Sequence, residues 1–418
     1  MSKTLIKNIK TLYTSRQVPP VKGADMSKVY ELNNAYILIE EDKIKEIGTL
    51  YTGNLIDTFI YDAKDLICIP GLIDSHTHLV FGGSREHEFS KKIAGVPYLD
   101  ILKEGGGIHS TVKQTKAATS EVLYDQAKKS LDEMLLFGVT TLEAKSGYGL
   151  DLATEIKQLL TLKKLNELNP IDILITYLGA HALPPKYKDK RVEFINKVML
   201  DLEYIKENDL AKYVDVFCEK GVFTALETEK IFKRALELGF KLRLHSDEIE
   251  SIGGTGVAIK LKANTVDHLM AIKDEDITSL AKSNTIANLL PATSFFLNKE
   301  YAPARKLIDQ GCAVSVSSDY NPGSTPSENY QFTLQLAGNK LRMVPYEILT
   351  AATINPAYGL DISNKVGSLE VGKQADILLL DALNLDYFIY HYGINHTRAV
   401  FKNGKLVVDN RTIIKEEI

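Results

Sequence analysis

The chain has 418 residues, 44% of them hydrophobic and 25% charged, with a formal net charge of −4 at pH 7. This is ordinary globular usage, which excludes a disordered chain and lacks the basic excess of a dedicated nucleic-acid binder. A chain this long buries roughly 75% of its unfolded surface without a covalent staple, and three widely spaced cysteines, Cys68, Cys218 and Cys312, provide no disulfide framework. The opening MSKTLIKNIKTLYTS lacks a signal-peptide pattern, and no apolar run reaches the ~18 residues of a membrane span. The expectation is a cytoplasmic protein without membrane or nucleic-acid partners.

In chain order, the first seventy residues read as strands and turns. Asn34 to Gly48 predicts a hairpin: an apolar run, an acidic turn and an alternating run ending at glycine. From Pro70 to Leu360 short apolar strands alternate with longer amphipathic stretches. The predicted strands are Leu72–His76, Val139–Glu143, Ile171–Tyr177, Val214–Phe217, Lys241–His245, Thr265–His268, Ile286–Leu290 and Ala313–Ser318. Helices are predicted between them, for example over Glu121–Phe137 and Thr154–Asn166. Eight such units fit a (β/α)8 barrel; the rival, a doubly wound sheet, lacks a GxGxxG after its first strand. Beyond the barrel, Gly372–Asp381 reads as a turn and buried strand, and Thr397–Asp409 as a hairpin closed by Asn403-Gly404. The fold class is therefore α/β, with a TIM-like barrel over residues 70–362 and a small β-sandwich domain composed of residues 1–69 and 363–418.

The histidines fall where a barrel places chemistry. His76, His181, His245, His268 and Asp319 all stand at predicted strand ends, and barrel active sites collect at the C-terminal ends of the strands. In Asp74-Ser-His76-Thr-His78 the two histidines are two apart in a strand and face the same side. With His245 and Asp319 they provide three imidazoles and a carboxylate, a set that holds zinc or iron and leaves room for water. Such a metal brings the pKa of water toward ~7. Glu248, three residues after His245, is placed to take the proton.

Pro70-Gly-Leu-Ile-Asp-Ser-His-Thr-His78, His245, Val266-Asp-His268 and Ser317-Ser-Asp319 together resemble the amidohydrolase superfamily. Phe81–Phe89, Gly105–His109, Glu143–Gly149, Leu178–Ala182, His245–Glu248 and Asp319–Ser324 are similar, more narrowly, to the imidazolonepropionase family within it. The resemblance spans the whole chain. It implies hydrolysis of 4-imidazolone-5-propanoate to N-formimidoyl-glutamate, the third step of histidine degradation, by a homodimer acting on a small anionic substrate. Residue by residue, it implies metal ligation by His76, His78, His245 and Asp319. Catalysis falls to Glu248 and to His268, which contacts water or substrate. Substrate contacts fall to Arg85, Tyr148, His181, Glu248, Asn321, Gly323 and Ser324.

The chemistry of these residue types agrees. A guanidinium such as Arg85 suits a carboxylate, His181 is suited to polarise the ring carbonyl or donate to the developing oxyanion, and the Asn321–Ser324 turn offers an amide and backbone N–H groups. The fourth strand, Ile171–Tyr177, has no lysine to bridge two metals, so one divalent ion, zinc or iron, is expected; Lys145 is the one residue able to change that count. The competing enzyme reading is a deaminase of a purine or pyrimidine-like ring. It would have no carboxylate for Arg85 to bind. A metal-free assembly barrel would have lost at least one ligand, and none is missing.

Overall fold

In the computed structural model, which describes residues 3–96 and 106–414, the chain opens with a 13-residue strand, β1 (Lys3–Ser15). It is followed by β2 (Val29–Glu40), β3 (Lys43–Gly48), β4 (Thr58–Asp62) and β5 (Ile67–Pro70). β1 runs antiparallel to β2 along most of its length, with a register shift between Ile6 and Ile9 where Asn8 takes a positive φ of 58°. That irregularity lets one strand serve two parallel partners: its first half pairs with β4 and its second half with β5. The predicted hairpin is β2–β3, turning at Glu41-Asp42.

The barrel strands are β6 (Leu72–Thr77), β7 (Val139–Lys145), β8 (Asp172–Ala180), β9 (Tyr213–Cys218), β10 (Lys241–Ser246), β11 (Thr265–His268), β12 (Ile286–Leu289) and β13 (Val314–Val316). They lie in sequence order, each parallel to the next. The ring is completed beyond β13, where Asp319 N donates to His76 O at 3.1 Å and His78 N to Tyr320 O at 2.9 Å. Every residue of β6, β7, β11, β12 and β13 is buried, as expected for parallel strands covered on both faces. Between strands, helix Ser120–Leu136 is capped by Thr119, Leu152–Leu168 by Asp151 and Ala225–Glu237 by a Thr224/Glu227 capping box.

The last strands are β14 (Ile377–Leu380), β15 (Thr397–Lys402), β16 (Lys405–Asp409) and β17 (Thr412–Ile413). β14 pairs antiparallel with β5, so both ends of the chain share one nine-stranded sheet in the order β17-β16-β15-β14-β5-β1-β2-β3, with β4 on β1. Asn403 and Gly404 both have positive φ, 50° and 76°, as the type I′ turn of the β15–β16 hairpin requires. Ile6, Ile9, Ile37, Ile39, Cys68, Ile377, Leu379 and Phe401 form the apolar core of this sheet. An ion cluster ties it to the barrel: buried Lys402 reaches Asp376, just before β14, at 2.6 Å and Asp172 of β8 at 2.8 Å. Gly71, between β5 and β6, has no room for a side chain, since a Cβ would sit 2.2 Å from Thr140 Oγ1.

The (β/α)8 barrel and the terminal β domain are thus as expected. Residues 1, 2 and 415–418 of the predicted composite domain, and Gly105 of the Gly105–His109 motif, lie outside the described residues.

Candidate metal centre and active site

The strand ends converge on a buried cluster. His76 lies on β6 and His78 just beyond it, His245 near the end of β10, His268 at the end of β11 and Asp319 after β13; none is more than 3% exposed. Suitable donor atoms of His76, His78 and Asp319 fall within 4.8 Å of one another, as do those of His76, His245 and His268. Asp319 Oδ1 lies 3.6 Å from His76 Nε2 and 3.5 Å from His78 Nε2. Its other oxygen accepts hydrogen bonds from Thr293 Oγ1 at 2.6 Å and Ser324 Oγ at 3.1 Å, which aims Oδ1 at the histidines.

Two further aspartates set the tautomers. His76 Nδ1 lies 2.7 Å from Asp267 Oδ2 and His245 Nδ1 lies 3.0 Å from Asp215 Oδ1. A carboxylate only accepts, so each Nδ1 carries the hydrogen and each Nε2 presents its lone pair. Those Nε2 atoms, with Nδ1 of His78 and of His268, are buried without a protein partner. Burial holds His76 and His78 well below the ordinary histidine value, reinforced mainly by Lys145 for His76 and by His181 for His78. At His245 burial acts the same way, but the Asp215 carboxylate outweighs it and the pKa is raised. Imidazole nitrogens buried without a hydrogen-bond partner around a carboxylate are the donor set of a divalent metal ion, and the residues fit one.

Beneath the cluster lies a fully buried charge network. Lys145 Nζ is 2.9 Å from Glu143 Oε1 and 3.0 Å from Asp215 Oδ2. Arg243 Nη2 is 3.5 Å from Asp267 Oδ2, and its Nε 3.8 Å from Glu143. The Lys145 ammonium is thus committed to two carboxylates. Bridging two metals as a carbamate would set a third negative group beside them, so the geometry gives no support to the role that could have changed the metal count.

Other predicted residues lie close to this cluster. Tyr148 is buried, its ring centroid 5.7 Å from that of His78 and 5.3 Å from that of His181. Arg85 forms a two-bond pair with buried Glu88, through Nε at 3.1 Å and Nη2 at 2.8 Å to the same oxygen. Nη1 points to Gly323, where a Cβ would sit only 2.2 Å away. One edge of the Arg85 fork is therefore already taken by Glu88, and the Nη1 side lies against the Gly323 backbone. Glu248 faces the cluster, its Oε2 3.8 Å from His268 Nε2.

Two expectations need correction. His181 Nδ1 lies 3.0 Å from the Gly147 carbonyl and must donate to it. Burial lowers the His181 pKa to about 3, so the ring is neutral and Nε2 offers only a lone pair. In that state the ring is suited to accept a hydrogen rather than to donate one to a carbonyl or an oxyanion. Second, the turn after Asp319 does not present free N–H groups. Gly323 N and Ser324 N both donate to Asn321 Oδ1, at 2.7 and 2.9 Å, and Asn321 Nδ2 donates to Asp319 O and Ser324 Oγ. The Asn321 side chain closes its own turn, as asparagine does when it mimics a backbone turn.

Sequence reasoning missed Glu88, Asp215, Asp267 and Thr293. The signal for Asp215 and Asp267 was present as a charge inside an otherwise apolar buried strand, Val214-Asp-Val216 and Val266-Asp-His268.

A family model described as "Amidohydrolase family" matches residues 215–408. The chain is 50% identical over 409 residues to an imidazolonepropionase of Fusobacterium nucleatum, covering 96% of this chain and 98% of that protein. It is 48% identical over 421 residues to an imidazolonepropionase of Alkaliphilus metalliredigens, covering 99% and 100%. Among solved structures, a zinc-bound adenosine deaminase of Xanthomonas campestris superposes with a TM-score of 0.72 at 17% identity, over 100% of this chain and 95% of that one. That likeness shows the shared fold. Identity near one half, sustained from end to end, places more than the barrel in common: this chain belongs to the imidazolonepropionase family of the amidohydrolases.

Proposed function

We infer that this enzyme hydrolyses the cyclic amide C–N bond of 4-imidazolone-5-propanoate, giving N-formimidoyl-L-glutamate in the third step of histidine degradation. The observation that carries the reading, in a chain of this family, is Arg85 set beside Tyr148 and Gly323 at the edge of the buried donor cluster. A small ring bearing a carboxylate matches both features, whereas a neutral purine or pyrimidine leaves the guanidinium without a partner.

We assign His76, His78, His245 and Asp319 as ligands of a single divalent ion, zinc or iron. When bound, the ion supplies Lewis acidity that makes water nucleophilic near neutral pH. The chain's own groups do the rest. Water adds to the ring carbonyl carbon, Glu248 accepts its proton, and the same proton passes to the ring nitrogen as the C–N bond breaks. His268, whose Nε2 lies 3.8 Å from Glu248 Oε2, stands beside that carboxylate and contacts the water or the substrate. Arg85 takes the propanoate carboxylate through its Nη1 side. His181 Nε2 accepts a ring N–H, which fixes the ring orientation, and Tyr148 forms a wall. Asn321, Gly323 and Ser324 shape the floor, where glycine leaves Arg85 its space.

The barrel of residues 70–362 and the composite domain of residues 1–69 and 363–418 are proposed as the two structural units, joined at Gly71. A homodimer in the cytoplasm completes the reading. Three buried free thiols, Cys68, Cys218 and Cys312, suit a reducing compartment. No helix among the described residues is long and apolar enough to cross a membrane.

The test is turnover of freshly prepared imidazolone propionate, following loss of the ring and formation of formimidoyl-glutamate, with metal content measured on the same sample. A fully metallated enzyme that leaves the substrate intact would overturn the assignment.

A further inference from the structure

We propose that Glu219 is a positioning residue that fixes Glu248, a role resting on the assignment of Glu248 as the proton acceptor. Glu219 follows β9, the strand beside the one that leads to Glu248, and is 1% exposed. It lies in no ion pair among the described residues. Three backbone donors satisfy its carboxylate instead. Oε1 accepts from Lys220 N at 2.8 Å and from Glu250 N at 3.1 Å, and Oε2 accepts from Ile249 N at 2.9 Å. Two of the three donors are the residues immediately after Glu248. One buried carboxylate thus staples the loop after β10 to the loop after β9.

The staple has a counterpart on the other side. Asp247, just before Glu248, is buried with a positive φ of 56°; its Oδ2 accepts from Thr255 Oγ1 at 2.6 Å and its carbonyl from Ala271 N at 2.7 Å. Glu248 is therefore the one residue of this segment whose side chain is left to face His268, held on both flanks by buried carboxylates. Burying an ionised group without a cation is costly unless hydrogen bonds replace its water. Anchoring the loop needs at least two acceptor oxygens in fixed positions, which an amide cannot supply, because its NH2 would meet the Ile249 N–H or the other two donors.

The experiment is a double-mutant cycle of Glu219→Gln and Glu248→Gln, with kcat, KM, metal content and Tm measured for each enzyme. Displacing Glu248 by part of an ångström should lower kcat of Glu219→Gln by about 10- to 100-fold, with KM and metal content near the parent values. Placed on Glu248→Gln, the same substitution should change kcat by less than about twofold, because its route of action has gone. A full multiplicative loss in that background would show that Glu219 acts elsewhere and overturn the inference. Near-normal turnover in Glu248→Gln alone would remove the proton-acceptor role, and this inference with it, a distinct result from the first. Should Glu219→Gln fail to fold, Glu219→Asp takes its place in the cycle: it keeps the buried charge but is too short to reach both loops.

Discussion

Asp215 accepts a hydrogen bond from Nδ1 of His245 at 3.0 Å, and its second oxygen faces the buried ammonium of Lys145 at the same distance. A single carboxylate therefore orients a metal-site imidazole and balances a charge that has no access to water. Burial alone would raise the Asp215 pKa, but His245 and Lys145 hold it well below the ordinary carboxylate range.

Asp215→Asn should weaken metal binding. The amide keeps the shape but makes a weaker acceptor for the His245 N–H. Loss of such an orienting carboxylate typically costs about 10- to 100-fold in metal affinity. Competition against a chelating dye of known affinity measures it, and an unchanged affinity would argue against the orienting role.

Lys145→Met should destabilise the fold without freeing a second metal. It removes the cation that Glu143 and Asp215 share in the interior, a cost on the order of 3–5 kcal/mol, read as a fall in the denaturation midpoint. Elemental analysis of the parent enzyme, grown with excess metal and bicarbonate, should give close to one equivalent. Two equivalents, lost together in the variant, would restore the bridging-lysine role.

Arg85→Lys should bind substrate poorly. An ammonium cannot hold Glu88 along one edge and offer a planar edge to a carboxylate along the other. The expected loss is about 2–5 kcal/mol in kcat/KM. Steady-state kinetics decide it, and Arg85→Ala with unchanged constants would take this residue out of the pocket.

Stability should decline from mildly acidic to mildly alkaline pH, in part through Glu155. This buried carboxyl accepts backbone N–H groups from Gly147, Gly149 and Leu150, the loop that carries Tyr148. Burial raises its pKa from 4.5 to about 7 despite those bonds. A folded-state pKa above the unfolded one means a contribution fully present below pH 4.5 and lost as pH rises through 7. Melting curves from pH 5 to pH 8 should show the decline, and Glu155→Gln should flatten it. A parallel decline in the variant would assign the effect to other groups.

The barrel was legible because its strands are covered on both faces, so apolar runs such as Val139-Thr-Thr-Leu and Ile286-Ala-Asn-Leu stand out between amphipathic helices. Strand ends were less so. β7 continues through Ala144 and Lys145, where a lysine reads as solvent-facing until its two carboxylate partners are known. β1 was legible only as part of a β-rich end, since Asn8 interrupts its alternation at the point where it changes partners. At the centre, the histidines declared themselves by residue type and spacing. His268 did not declare its proximity to His76 and His245, which follows from the closure of the ring. The self-closing of the Asn321 turn depends on a rotamer, and the orientation of His181 on one carbonyl; neither has a signature in the order of residues.

The pairing of β5 with β14 has a consequence for the order in which this protein can be made. Ile69 waits for Leu378, so the sheet holding the first strands cannot close until roughly 300 further residues have been synthesised. Until then the apolar run Ile67-Cys-Ile69 offers an open strand edge while the intervening barrel is emerging. A chain interrupted before residue 377 would retain every metal ligand proposed above and still lack the strand that covers this edge. Such truncations should accumulate as aggregates, and co-expression of residues 363–418 as a separate fragment should recover soluble protein from them.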